Sequence, residues 1–224
     1  MPNHVTNILK INGTPDQVEE VRNFIRGKDD DGNVVEFDFN KIIPMPEELN
    51  IASNGTAMMV EDLKRLKKTE LPATWRGREV TQQMRKDAEP YLANLQKHGY
   101  VTWYDWCVDK WGTKWGAYKI GVKADDTIQF DTAWSTPLPI FEALAARFPD
   151  IEFIVEYADE DIGRNLGRLT YKKTLVDRFV PDENDSKNAE AFAYRIKGYT
   201  QEMIDEIEAE RRADEEARQK EARG

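Results

Sequence analysis

Cysteine and histidine are scarce in this chain. Its 224 residues hold one cysteine, Cys107, and two histidines, His4 and His98. A lone cysteine excludes an internal disulfide framework and fits a reducing cytoplasm. It lies among aromatics with no histidine near it in sequence, so it reads as a packing residue. Two histidines leave little for zinc, and a Ser-His-Asp system would have to recruit one of them from far away in sequence. Long apolar runs are missing too, since nothing approaches the ~20 residues needed to span a bilayer. The start, MPNHVTNILKING, has no basic region followed by an apolar block, so no signal peptide is expected. Positive charge is outnumbered: 32 Lys and Arg face 42 Asp and Glu, a net charge of −10. A protein that lives by neutralising phosphates shows a basic surface. General nucleic-acid binding is therefore not expected. An acidic balance fits a small-molecule site, a partner with a basic surface, or solubility alone.

What is present alternates between strand and helix texture. In HVTNILKING, Val5, Asn7, Leu9 and Ile11 share one face, a strand ending at Asn12-Gly13. Thr14 and Pro15 then open a helix with Val18, Val21, Phe24 and Ile25 at helical spacing. VVEFDFNKIIP alternates again and is expected as a strand that stops at Pro44. From about residue 47 to 112 the pattern turns helical, and Pro90 should kink or divide its longest run. AYKIGVKADD and TIQFDTAW read as strands joined through Lys123 to Asp126, Pro137 to Phe148 as a helix, and IEFIVEYADE as a strand. Strand, helix, strand, strand, helix, strand is the split βαβ order of a ferredoxin-like sandwich. The expected class is α+β: this sandwich over residues 1–200, a helical insertion at about 47–112, and extra C-terminal strands at Gly167–Val176 and Glu190–Tyr199. Residues 201–224 follow as a charged helical tail. Glu208/Arg212, Asp214/Arg218 and Glu216/Lys220 are spaced for i,i+4 pairs along it.

Three clusters could carry chemistry. The stretch YDWCVDKWGTKWGAYK, with Trp103 before it and Trp134 beyond, contains five of six tryptophans. Tyr104, Cys107, Val108 and Trp111 fall on one side of a helix that Gly112 could end, which is core spacing. The interleaved Asp105, Asp109, Thr113 and Lys114 raise the alternative of a site. The ligand candidates are Trp106, Trp111, Thr113, Lys114, Trp115, Asp131 and Trp134, with Asp105 or Asp131 as an acid or base if burial shifts it. In FDTAWSTPLP, Ser135 or Thr136 reads as a helix cap. In YADEDIGRNLG, Asp159, Glu160 and Asp161 lack the alternation of a calcium loop and read as an exposed acidic turn. No phosphate-cradling glycine motif is present.

Together MPNHVTNILKING, WYDWCVDKWGTKWGAY, FDTAWSTPLP and YADEDIGRNLG resemble the YubB ferredoxin-like family of phage and plasmid proteins, over roughly residues 1–172. WGTKW and DTAWS are its most specific pieces; the tail after residue 200 lies outside the resemblance. It implies a ferredoxin-like fold and a mobile-element origin, no catalytic residue, and no cofactor, since one cysteine could not hold a four-cysteine cluster. The expectation that follows is a non-enzymatic accessory protein in the host cytoplasm. It would bind a host protein with a basic surface, such as a defence or nucleic-acid-processing factor, through Asp159, Glu160, Asp161, Glu208 and Asp214. The alternative is a small-molecule or nucleotide-binding protein, with or without enzymatic activity, using the tryptophan-rich region.

Overall fold

The computed structural model describes residues 3–29, 31–68, 70–125, 127–182 and 185–221. The chain opens with strand β1 (His4–Asn12) and helix α1 (Pro15–Ile25), whose Thr14 and Gln17 form a reciprocal capping box. A two-residue ladder, β2 (Gly27–Lys28) with β3 (Val34–Val35), leads to the short α2 (Phe39–Ile42). The strand expected from VVEFDFNKIIP is thus confined to its first two residues. The Asp38 carboxylate accepts from the Asn40 N–H at 2.9 Å and turns the chain into α2. Phe37 and Phe39 still point inward, each 1% exposed, with ring centroids 4.8 and 6.2 Å from Phe130.

The helical insertion comprises α3 (Gly55–Leu66), a small hairpin β4 (Thr74–Trp75) and β5 (Arg78–Glu79), α4 (Gln82–Asp87), α5 (Glu89–His98) and α6 (Trp103–Lys110). Pro90 divides two helices: α4 stops at Asp87 and the proline occupies the first turn of α5, where its missing N–H costs nothing. The insertion has its own apolar cluster of Ala57, Met59, Val60, Val80, Ala88, Tyr91 and Val101.

Next come β6 (Tyr118–Val122), β7 (Ile128–Ala133), α7 (Leu138–Arg147), β8 (Glu152–Asp159), β9 (Leu166–Lys172), β10 (Thr174–Phe179), α8 (Ser186–Lys197) and α9 (Gln201–Glu221). Asp126, at the end of the expected connection between β6 and β7, lies outside the described residues. One antiparallel sheet runs β10-β9-β8-β1-β7-β6. Its four strands β8-β1-β7-β6 are the fourth, first, third and second of the split βαβ unit, so the ferredoxin-like order is met, with β9 and β10 added at the β8 edge.

Side-chain alternation gives the sheet two buried faces over part of its width. Val5, Leu9, Phe130, Ile128, Phe153, Val155, Leu169 and Tyr171 face the main core with α1, α2, α6 and α7. On the opposite face, Ala158 and Leu166 meet Ala189, Ala193 and Ile196 of α8. That helix corrects the strand expected at Glu190–Tyr199. Phe192, Tyr194 and Ile196 alternate, but the residues that bury fully include Ala189, Ala193 and Ile196, a helical spacing. Asp185 caps its start, and Gly198, at φ 71°, ends it. The tail follows as α9, exposed along most of its length and tied back to α8 by Arg211 Nη1 to Glu190 Oε2 at 2.8 Å. Of the three expected tail pairs, the Lys220 side chain lies outside the described residues.

Candidate binding surface

At one end of the sheet, where β1 begins and β7 and β8 finish, buried polar groups fasten two loops. Asn7 donates to Thr132 Oγ1 at 2.9 Å and accepts from the Thr136 hydroxyl. Thr132 donates to the Ser135 carbonyl at 2.8 Å, and Ser135 donates to the Gly112 carbonyl at 2.5 Å. Thr113, 1% exposed, donates to the Ala133 carbonyl at 2.7 Å. These hydroxyls lock the segment after α6 against the segment after β7. Neither Ser135 nor Thr136 caps α7 as expected, because both hydroxyls are spent in this lock; α7 starts after Pro137 with no side-chain cap. Gly112 is required at the join: its φ is +74°, and a Cβ there would lie 2.8 Å from Pro139 Cδ.

The lock separates the tryptophans into two groups. Trp106 and Trp111 are 5% and 4% exposed, edge-to-face at 5.3 Å, and belong to the main core. The Trp111 indole N–H donates to the Ile43 carbonyl at 2.9 Å, which satisfies the one polar atom that burial would strand. Trp134 is instead 41% exposed, and Trp115 is half-buried. The Lys114 ammonium lies 4.6 Å from the Trp115 ring centre, 5.1 Å from Trp134 and 5.9 Å from Tyr104. Tyr104 meets Trp134 edge-to-face at 6.2 Å and Trp103 at 5.7 Å. The sequence candidates Lys114, Trp115 and Trp134 therefore come together, Thr113 sits beneath them, and Trp106 and Trp111 do not join them.

Trp134 is held under strain. Its φ of 72° is a left-handed conformation costly for any residue with a side chain. Its N–H donates to the Asn3 carbonyl at 2.8 Å, and its carbonyl accepts from Asn165 Nδ2 at 3.2 Å. Both backbone groups are thus anchored while the ring stands at the surface. Tyr104 and Asn165 were missed as site residues. Tyr104 carried a helix-face signal that pointed inward, and Asn165, at φ 43°, had no signal beyond the tolerance of asparagine for that region.

The carboxylates divide as well. Asp131 pairs with Lys119 at 3.2 Å and accepts from the Thr6 hydroxyl at 3.0 Å, on the sheet face opposite the main core. Asp105 caps α6 through the Val101 and Thr102 N–H groups and meets Lys64 at 3.4 Å, so it is a structural acceptor. Val108, expected inside with Cys107, is 44% exposed, because α6 packs through Trp103, Trp106 and Cys107, at i, i+3 and i+4, and Val108 lies beside that face. Burial pushes the Cys107 thiol up to about 12, with Asp105 adding to the effect. Asp159 is 4% exposed and accepts from Asn3, from the Asp161 N–H at 3.0 Å and from Asn165 at 2.8 Å. It builds the turn and has no surface to offer a partner, contrary to expectation. Glu160 and Asp161 are exposed beside it, and Glu208 and Asp214 are exposed on α9. Among the described residues no three His, Cys, Asp or Glu side chains form a metal-sized group, and no helix is long and apolar enough to cross a membrane.

Comparison with known proteins bears on the fold. Residues 110–223 match the family model described as the ferredoxin-like domain in Api92-like protein. The matched span covers β6 to α9, so it runs through the charged tail, which the resemblance read from sequence left out. No curated protein matches the chain. A crystal structure of protein api92 from Yersinia pseudotuberculosis is similar over 80% of this chain and 97% of that one, at 12% identity and a TM-score of 0.43. The chain belongs to the Api92-like family through its ferredoxin-like domain.

Proposed function

We propose that this protein is a non-enzymatic binding module that docks on a partner protein through the ring cluster of Tyr104, Lys114, Trp115 and Trp134. The observation that carries this reading is Trp134: a large ring kept at the surface by a strained, doubly anchored backbone. Strain of this kind costs ~1–3 kcal/mol and persists where the surroundings over-determine it, as at binding sites. Rigid aromatic residues flanked by a cation are the groups that dominate protein interfaces. Two grooves of the surface are lined by other residues, and the exposed rings offer a patch suited to a macromolecule.

The partner presents a basic surface. Glu160 and Asp161 stand exposed on the turn that Asn165 ties to Trp134, and the whole chain carries a net charge of −10. The resemblance to phage- and plasmid-borne proteins makes a host defence or nucleic-acid-processing factor in the cytoplasm the natural candidate. Tagged protein is incubated with host lysate at low and high salt, beside a Trp134→Ala bait and a bait truncated after Thr200. A stoichiometric partner released by high salt and lost with Trp134→Ala is expected. Equal capture by the Trp134→Ala bait would sink the proposal, and loss only on truncation would move the contact to α9.

A further inference from the structure

A groove lies where β8, β9 and β10 meet the start of α8. Its volume is 680 Å³, and its lining includes Tyr157, Arg164, Arg178, Ser186 and Glu190. In a chain with ten more acidic than basic residues, its two guanidinium groups are sparsely neutralised. Arg178 makes no hydrogen bond or ion pair with any described residue. Among the described residues Arg164 pairs with Asp161, at 3.8 Å and largely in water. Glu190, a carboxylate on the wall, is already engaged by Arg211 at 2.8 Å.

Tyr157 lies on the groove wall with 7% of its surface exposed, and its hydroxyl makes no hydrogen bond to a described residue. Space for that hydroxyl is left by Gly167, its partner in the β8–β9 register: a Cβ on Gly167 would lie 3.0 Å from the phenol oxygen. The phenol oxygen is not sealed in the core but opens on the groove, where it can meet water or a ligand. Leu169, two residues along β9 from Gly167, pairs with Arg178, which places Arg178 on the same sheet face as Tyr157. A phenol donor and two guanidinium forks around one groove match the lone pairs of an oxyanion.

We infer that this groove binds a small molecule through an oxyanion of the phosphate class, with Arg178 and Arg164 supplying charge and the Tyr157 hydroxyl a directed hydrogen bond. The volume leaves room for more than the anion itself, so an organic phosphate fits better than the free ion. This site uses none of the ring-cluster side chains, although Asn165, which holds the Trp134 carbonyl, also lines the groove.

The test is calorimetric titration of the full chain in low-salt, phosphate-free buffer, with inorganic phosphate in one arm and a nucleoside monophosphate in the other. Saturable binding is expected, weakened about tenfold by Tyr157→Phe and at least as much by Arg178→Gln, since each removes one charge-assisted hydrogen bond. Trp134→Ala should bind like the parent. Both groove variants should stay folded, because neither loses a hydrogen bond or ion pair to a described residue and Tyr157→Phe keeps the ring that packs in the core. Tighter binding of the nucleotide assigns the rest of the groove to the organic part, and equal affinity in the two arms assigns the site to the anion alone. No saturation in either arm by about 10 mM, or the same affinity in parent and groove variants, would overturn the inference.

Discussion

Trp134 occupies a backbone conformation that glycine adopts freely, while its ring makes only partial contacts at the surface. Trp134→Gly is therefore expected to leave stability unchanged or raise it by up to ~1 kcal/mol in urea unfolding, while partner capture is lost. A residue kept for packing would behave in the opposite way. Asp159 makes the complementary case. Its replacement by alanine strands the Asn3 and Asn165 amides and the Asp161 N–H, and should cost ~1–3 kcal/mol. Glu160→Ala and Asp161→Ala, one position away and exposed, should cost little. Sequence placed the three acids together but could not separate them, because exposure depends on a turn closed by Asn165, six residues on. It likewise marked the WGTKW stretch and Trp134 as notable. What it could not show is that the hydroxyls of Thr113 and Ser135 bring those segments together, since hydrogen bonds to carbonyls about 20 residues away leave no local pattern.

At the scale of elements, β1, β7 and β8 of the split βαβ unit were legible because each buries its main-core face and so alternates over much of its length. Failures came where alternation and helical spacing both fit. In α8, aromatic and small residues interleave, so Phe192, Tyr194 and Ile196 mimic a strand, while the Asp185 cap and the Gly198 stop are the clues that decide. In the segment after β3, a single side-chain cap from Asp38 outweighed a period-two pattern. Helix α9 was readable from charge alone, since it offers only Met203, Ile204 and Ile207 as apolar candidates; the first is 43% exposed and the others are half-buried. Its ion pair to α8 is exposed and so contributes little. Truncation after Thr200 should remove helical signal in circular dichroism and shift the unfolding free energy by less than about 1 kcal/mol. A larger loss would mean that α9 holds α8 on the sheet.

For the whole molecule, the core makes stability fall toward alkaline pH. Burial pushes Cys107 from 9.0 and Tyr171 from 10.0 to about 12, so the folded chain keeps protons that the unfolded chain surrenders. The full stability is present below the ordinary values and declines as pH rises from about 9 toward 12, by up to ~1.4 kcal/mol per pH unit for each group. Urea titrations across that window should show the decline, and Cys107→Ala should delay its onset by about one unit. The order of the strands has another consequence. β1 lies in the middle of the sheet, and its partners begin only at Ile128 and Glu152. At ~5–20 residues per second, VTNILKI waits ~8–30 s in the nascent chain before both neighbours exist. During translation that apolar strand is a ready target for chaperones.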